Sequence, residues 1–370
     1  MSKEYDLEAV RAQIEKSPFD WTAEENGMTK LSEAERNRYL GVPLPPREKL
    51  DEMIKAAEAQ QIEKEALAAS SAAALPAAFN LNNIAGQSYV SGITNQGGCG
   101  SCVAFGVAAT LEGTARYTRR MPRLEIDLSE AHLFYGWAKS EGRNCDNGWW
   151  PINGLRFSTD RGVTYEVNWP YTAGNTNGGS LPATWESHRA KSAGLVNLTG
   201  NIAGIKQHLN SFGPVAACFI VYDDFYALGS GVYRRTSNVE RGGHCVAIVG
   251  YDDAQQAWIC KNSWGTSHGD KKGFFLMGYG QCLIETWQVV GVQGVNLRTW
   301  TGNKKVVGLW SSGHELNAHA YIADYGWIRI GGNTQIAHHT LLNEIANSKL
   351  LDHVVNVYNN DGVISTVYAY

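Results

Sequence analysis

No stretch of this 370-residue chain approaches the ~18 apolar residues of a membrane-spanning helix. Met1 to Lys16 mixes acidic and basic residues where a signal peptide would place its apolar core. Neither charge dominates. With 32 basic against 36 acidic side chains the net charge is −4, which leaves no basic face for nucleic acid. A composition that is 44% hydrophobic and 18% charged is ordinary for a soluble globular protein, and the length suits about two or three domains. Cysteine is sparse and odd in number. The seven, at 99, 102, 145, 218, 245, 260 and 282, fit one reactive thiol beside bridges or buried thiols, and alone leave the compartment open.

Absences also divide the chain. The first 75 residues contain no cysteine and two of the 40 glycines, Gly27 and Gly41, but hold 15 acidic and 10 basic residues. Such a segment reads as helical and solvated. Ser32 and Glu35 form a capping-box pattern opening a short helix that Gly41 and Pro43 would stop. Arg47 to Ala69 predicts a second helix, with Leu50, Met53, Ile54 and Ala57 on one face. Ala66 to Ala74 is small and uncharged and suits an accessible linker. Beyond Leu75-Pro76, glycine and tryptophan become frequent. Ser129 is placed to cap a helix running through Tyr135 and Trp137. Strand-like runs dominate after residue 210: Pro214 to Val221, His244 to Tyr251, Ala257 to Lys261 and Gly273 to Met277. A helix-rich first half and a strand-rich second half predict an α+β protein with segregated lobes.

The chemistry is concentrated in three strings. Gln96-Gly-Gly-Cys99-Gly-Ser-Cys102-Val-Ala-Phe105 sets two cysteines three apart in a glycine-rich turn, before an apolar, helix-compatible run from Val103 to Tyr117. A cysteine where a loop becomes a helix meets unpaired N–H groups and the positive end of the helix dipole, which favour the nucleophilic thiolate. By spacing alone the pair reads equally as a redox pair or half of a zinc site. Zinc would need a second ligand pair, and no other Cys-x-x-Cys occurs; the flanks do not suggest the βαβ repeat expected around a redox pair. Gly242-Gly-His244-Cys-Val-Ala-Ile-Val-Gly-Tyr251 opens an apolar strand with a histidine 142 residues after Cys102. Alone, that histidine reads as readily as a core residue. Lys261-Asn262-Ser-Trp264-Gly265 follows. A thiolate nucleophile needs a base, a group that orients the base, and donors for the developing oxyanion; the three strings contain side chains able to fill each role.

The wider strings around Cys102, His244 and Asn262 resemble the active-site segments of the papain family of cysteine proteases, and the resemblance runs from about Leu75 to Val290. It implies a helical left lobe and a β-barrel-like right lobe with the site in the cleft between them. By the same resemblance Cys102 is the nucleophile, His244 the base and Asn262 its orienting partner. Trp264 shields that pair from water, and Gln96 donates to the oxyanion together with the Cys102 amide. Neither a metal nor an organic cofactor is implied. Asn144-Cys145-Asp-Asn147-Gly148-Trp149-Trp150 resembles the family's loop whose cysteine bridges the first cysteine of the active-site loop, here Cys99 to Cys145. Asn147 stands where the family usually has glycine, and Val103 where it usually has an aromatic. Residues implied to line the substrate cleft are Gly148, Trp149, Trp150, Gly242, Gly243, Trp264 and Trp287, with Cys245 beside them. Trp287 would floor an apolar second pocket that rejects arginine.

Residues 1–74 read either as an ordinary helical N-terminal domain or, as the resemblance implies, as an inhibitory helical proregion; 75–293 form the implied peptidase domain, and 294–370, beyond the resemblance, read as a small β-rich module. The proregion would bind its own cleft in the reverse chain direction, although the family's interspersed Glu-Arg-Phe-Asn-Ile-Asn helix pattern is not present. Peptides or proteins are the implied substrates. The resemblance and its implied disulfide point to an extracellular or acidic compartment. Within the module, Lys304 to Trp310 and Ala318 to Ile330 predict strands and Thr340 to Lys349 a helix. Val354 to Tyr358 and Val363 to Tyr370 flank the hairpin signal Asn359-Asn-Asp-Gly362. Its histidines at 314, 319, 338, 339 and 353 have no metal-ligand spacing. The leading expectation is an endopeptidase made as a zymogen. The alternatives are an exopeptidase of the same family and a recognition or adhesion protein acting through the C-terminal module.

Overall fold

In the computed structural model, which describes residues 5–67, 75–174, 179–269 and 272–370, the N-terminal segment folds onto the rest of the chain. Helix α1 (Leu7–Glu15) buries Val10 and Ile14. Helix α2 (Glu33–Asn37) begins with the capping box its sequence predicts: Ser32 Oγ accepts from the Glu35 amide, and the Glu35 carboxylate accepts from the Ser32 amide at 2.8 Å. Helix α3 spans Arg47–Leu67, and the remaining predicted helix and linker, 68–74, lies outside the described residues. Trp21 is 2% exposed, edge-on to Tyr233 at 5.3 Å, with its indole N–H donating to the Arg234 carbonyl at 2.9 Å. The amides of Thr22 and Glu24 donate to the carbonyls of Ser230 and Ala227 at 2.8 Å. Apolar burial and backbone pairing thus hold the segment to the lobe, joined by ion pairs from Glu33 to Arg241 and from Arg47 to Glu240 and by the buried Arg36.

Helix α4 (Cys102–Thr118) is buried along almost its whole length, which is why the sequence there is apolar and small rather than amphipathic. It packs against a sheet whose six main strands, β1 (Arg189–Asn197), β2 (Val215–Tyr222), β3 (Glu240–Asp252), β4 (Ala257–Lys261), β5 (Phe274–Gly278) and β6 (Gln288–Trp300), run antiparallel in the order β1-β6-β2-β3-β4-β5. Strand β2 is buried at every position and reads as a continuous apolar run, being covered on both faces. Ser129 caps a helical stretch as expected, its Oγ accepting from the His132 amide at 2.9 Å, although the turns from His132 to Ala138 are of the wider π type. Pro151 opens helix α5 (Pro151–Asp160), where its missing N–H costs nothing.

The C-terminal residues form strands β7 (Lys304–Ser311), β8 (Ala318–Ile322) and β9 (Gly326–Ile330), then helix α6 (Gln335–Leu350), then strands β10 (Val354–Asn360) and β11 (Val363–Ala369). The helix starts five residues before the predicted Thr340, because Thr334 caps it through the Ala337 amide at 3.2 Å. The strands close in the order β7-β8-β9-β11-β10-β7, with β9 and β11 parallel and the other pairs antiparallel. Strand β6 crosses residue 294 without interruption, pairing with β1 up to Arg298 and then with β10 from Arg298 to Trp300. Met121, Leu124 and Tyr165 of the first part share one apolar core with Val306, Ala320 and Ile328 of the second.

Candidate active site

Cys99 and Cys145 form a disulfide, with Cα atoms 4.5 Å apart. The Cys-x-x-Cys pair is thereby split: Cys99 fastens the glycine-rich loop, and Cys102 remains a buried free thiol at the first turn of α4. Gln96 is fully buried in the same loop. Its Oε1 accepts from the Ser263 hydroxyl at 2.7 Å, so its NH2 group points the other way, donating to the carbonyls of Cys99 at 2.8 Å and Tyr39 at 2.9 Å. Tyr171, whose hydroxyl donates to the Gln96 carbonyl at 2.8 Å and lies 2.7 Å from Ser101 Oγ, braces this loop from behind.

His244 sits on β3 opposite Phe219, and its Nε2 lies 2.8 Å from Asn262 Oδ1. A second buried histidine fixes which atoms face each other. His268 Nε2 lies 2.9 Å from the Phe225 carbonyl, which can only accept, so His268 carries its proton there and accepts at Nδ1. Asn262 Nδ2, 3.3 Å away, fills that acceptor. Asn262 therefore turns its oxygen to His244, which donates from Nε2 and leaves Nδ1 on the other side of the ring. Trp264 covers the pair, its ring centroid 4.6 Å from that of His244. Sequence reasoning did not single out His268 or Tyr171. The only signal for the former is its place six residues after Asn262, and none marks the latter.

The N-terminal segment runs straight across these groups. The Tyr39 carbonyl receives the Gln96 amide, Gly41 and Val42 both donate to the Gly243 carbonyl at 3.0 and 3.1 Å, and Trp149 donates its amide to the Gly41 carbonyl at 2.9 Å. Backbone meets backbone here. A Cβ on Gly148, whose φ is +59°, would lie 2.1 Å from the Gly41 oxygen, and one on Gly243 would lie 2.4 Å from the Val42 oxygen and 2.5 Å from the Trp287 ring. Gly242 adjoins Leu40. Beyond Val42, the chain at Pro43, Leu44 and Pro45 faces Trp150 and Trp287 across a pocket of about 530 Å³.

Two expectations about the cleft wall are corrected. The ring of Trp149 is fully buried, donating to Glu141 at 2.7 Å and packing beside Phe157, so only its backbone reaches the cleft. Cys245 points the opposite way from its neighbour His244, as successive strand residues must, and packs against Cys218 and Gly106 in the core.

Covered in this way, the site is electrostatically silent. Burial pushes the Cys102 thiol well up, with neighbouring Cys245 adding to it; nearby amides, that of Gly41 among them, offset this in part. Burial likewise pushes His244 down to about 3, against smaller raising effects from Asn262 and the Tyr39 carbonyl. Both shifts run against the thiolate that the position of Cys102 at a helix start favours. A helix N-terminus supplies about 0.3–2 kcal/mol, up to roughly one and a half pKa units, whereas full burial shifts a group by as much as about 3–5 units. Burial wins.

Behind the loop lies a cluster of carboxyls, Glu112, Asp127, Glu130 and Glu166, all raised chiefly by burial, with Lys261 and Arg116 among them lowered by burial. Glu166, which accepts from the Tyr171 amide at 2.5 Å, is raised to about 7. A raised carboxyl keeps its proton in the native state after the unfolded chain has lost it. Stability therefore falls as pH rises from the usual value near 4.5 through 7. In a Cys102→Ala background, which removes self-digestion, the midpoint of thermal unfolding is expected to drop less between pH 5 and pH 8 once Glu166 is replaced by glutamine. An unchanged drop would refute the assignment.

Among the described residues no group of three or more His, Cys, Asp or Glu is placed to hold a metal, and no helix is long and apolar enough to cross a membrane. Residues 75–292, more than half of the chain, match the family model described as papain family cysteine protease. The chain is 33% identical over 210 residues to "Cathepsin B-like CP2" of Giardia intestinalis, covering 54% of this chain and 68% of that one. It is 32% identical over 227 residues, at the same coverage, to a "Gut-specific cysteine proteinase" of Caenorhabditis elegans. In fold it resembles "proCathepsin B S9 from Trypanosoma congolense", with a TM-score of 0.61 and 21% identity over 78% of this chain and 97% of that one. The precursor of stem bromelain gives a TM-score of 0.58 at 20% identity, over 78% and 88%. The chain belongs to the papain family of cysteine proteases, and is a cysteine peptidase of that family's two-lobed α+β fold.

Proposed function

We propose that the chain is an endopeptidase precursor in which Cys102, His244, Asn262 and Gln96 perform peptide hydrolysis and residues 1–74 are the inhibitor. One observation carries this reading: a continuous stretch of chain enters the cleft after α2, passes the Gln96 amide at Tyr39, and leaves toward α3 past Trp150 and Trp287. A cleft that admits an uninterrupted chain is open at both ends, as cleavage within a polypeptide requires. The segment itself survives because burial in this covered state disfavours both the thiolate and the imidazolium.

Once the segment leaves, water and the dipole of α4 act on an uncovered thiol. The proton of Cys102 passes to His244 Nδ1, with Asn262 holding the ring in register. The thiolate adds to a peptide carbonyl, and Gln96 Nε2 donates to the oxyanion where it now holds the Tyr39 carbonyl. His244 returns its proton to the leaving amine as the C–N bond breaks, and water deprotonated by His244 then cleaves the thioester. The pocket between Trp150 and Trp287 would take an apolar substrate side chain and disfavour arginine.

A peptide blocked at both ends, N-acetylated and C-amidated, is the test. The processed enzyme is expected to cut it internally. Cleavage only of peptides with a free terminus would replace this reading with the exopeptidase one.

A further inference from the structure

The C-terminal barrel presents a face that the peptidase reading leaves unused. Along β8 and β9, Ala318, Ala320, Ile322, Ile328 and Ile330 are buried, so the alternate residues His319, Tyr321, Trp327 and Arg329 stand on the outer side. The register aligns them in two rows across three strands, Trp310–His319–Arg329 and Gly308–Tyr321–Trp327. Trp327 is 54% exposed and Trp310 49%. Trp310 meets His319 at 5.3 Å, and Trp327 stands perpendicular to Tyr321 at 5.4 Å. The absence of a side chain at Gly308 matters. A Cβ there would lie 3.1 Å from the far edge of the Trp327 indole, so the glycine lets that ring lean across to the first strand of the barrel. The result is a firm aromatic surface with a cation and an imidazole at its side.

Three features select the occupant. Five strands closed in this order, with a helix between the third and fourth, have the connectivity of the oligonucleotide- and oligosaccharide-binding barrel, whose ligands lie on the second and third strands. Those are β8 and β9, where the aromatics stand. Nucleic acid is the poorer match, because residues 294–370 carry five acidic against five basic side chains and offer no electrostatic funnel for a phosphate backbone. A second protein is also a poor match. Aromatic side chains bury about 150–250 Å² each, so three half-exposed rings offer roughly 300 Å², well short of the ~800 Å² per partner of a stable interface. A pyranose ring stacks its C–H face on an indole and directs hydroxyls sideways to groups such as Arg329 and His319, and it needs no net charge. We infer that the outer face of β7, β8 and β9 binds a neutral oligosaccharide, holding the peptidase near glycan-bearing substrates.

The test uses full-length Cys102→Ala protein and three probes, the β-1,4-linked hexamers of glucose and of N-acetylglucosamine and the α-linked hexamer of mannose, titrated calorimetrically. At least one is expected to bind, with Trp327→Ala and Trp310→Ala each weakening it tenfold or more. Trp300→Ala, at a tryptophan 40% exposed outside this face, should leave it unchanged. Peptide hydrolysis by the Trp327→Ala enzyme should match wild type. Binding that survives Trp327→Ala, or no binding of any hexamer, overturns the inference. So does preferential binding of a 20-nucleotide single strand of DNA, or a concentration-dependent dimer that Trp327→Ala dissociates.

Discussion

Replacing Gly41 by leucine is expected to turn the latent precursor into an active enzyme with its N-terminal segment still attached. A Cβ at this position would stand 2.1 Å from the carbonyl oxygen of Gly100 and 2.3 Å from its carbon. Both atoms belong to the loop pinned by the Cys99–Cys145 disulfide and by the bond from the Gly100 amide to the Cys145 carbonyl at 3.0 Å, so the neighbour cannot yield. The segment must lift instead, losing its backbone bonds to Gly243 and Trp149. Overpacking costs about 1–3 kcal/mol, and each lost hydrogen bond about 0.5–1.5 kcal/mol. Together these shift the covered population by roughly a hundredfold at the least, at about 1.4 kcal/mol per tenfold. The measurement is hydrolysis of a fluorogenic peptide at pH 7, with the intact mass of the protein checked in the same sample. A full-length Gly41→Leu protein as silent as its parent would show that the Tyr39–Val42 stretch is not what blocks the site.

Cys102→Ala is expected to lower hydrolysis by ~10⁴-fold or more, because sulfur is the atom that bonds to the substrate. It should also remain full length at about pH 4–5, where wild type is expected to shed the segment before Leu75. Two groups set the direction of this acid dependence. Glu35 is held below the usual carboxyl range by its bonds to Ser32, so the capping box stabilises α2 above that range and is lost as pH falls through the depressed value. His244, at about 3 while covered and near 6.5 when free, takes up a proton on uncovering, so the covered state loses stability as pH falls from 6.5 toward 3. Both act the same way, so acid is expected to release the segment. Charge pairs also cross this contact, from Arg241 to Glu33 and from Arg47 to Glu240. Cys99→Ala should behave differently from Cys102→Ala, lowering stability by about 2–4 kcal/mol through loss of the bridge. Equal loss of activity in both variants without a difference in stability would return the pair to a redox role, and processing of Cys102→Ala by itself would remove sulfur from the mechanism.

Local sequence determined much of this protein. Ser32 with Glu35, Ser129 before an apolar run, and Asn359-Asn-Asp-Gly362 between two strand patterns each specify their structure through bonds within a few residues. The uninterrupted apolar run of β2 and the small residues of α4 announce burial on all sides. The strings around Gln96, Cys102, His244 and Asn262 were legible because that chemistry tolerates few residue types.

Tertiary structure decided the rest, since it depends on residues far apart in the chain. No local pattern shows that Gly41 lies on Gly100 and Gly148, that His268 turns Asn262 toward His244, or that the ring of Trp149 faces inward while that of Trp150 meets a pocket. Nor does one show that β6 runs on into the C-terminal barrel or that Trp310 and Trp327 share one face of it. The charge state of the site is the sharpest case. Cys102 at a helix start suggests thiolate, yet burial within the folded chain outweighs the helix dipole and pushes the thiol up. Local sequence sets which groups are present and how the nearest backbone bonds run; solvent access is a property of the whole fold, and it decides whether those groups carry charge.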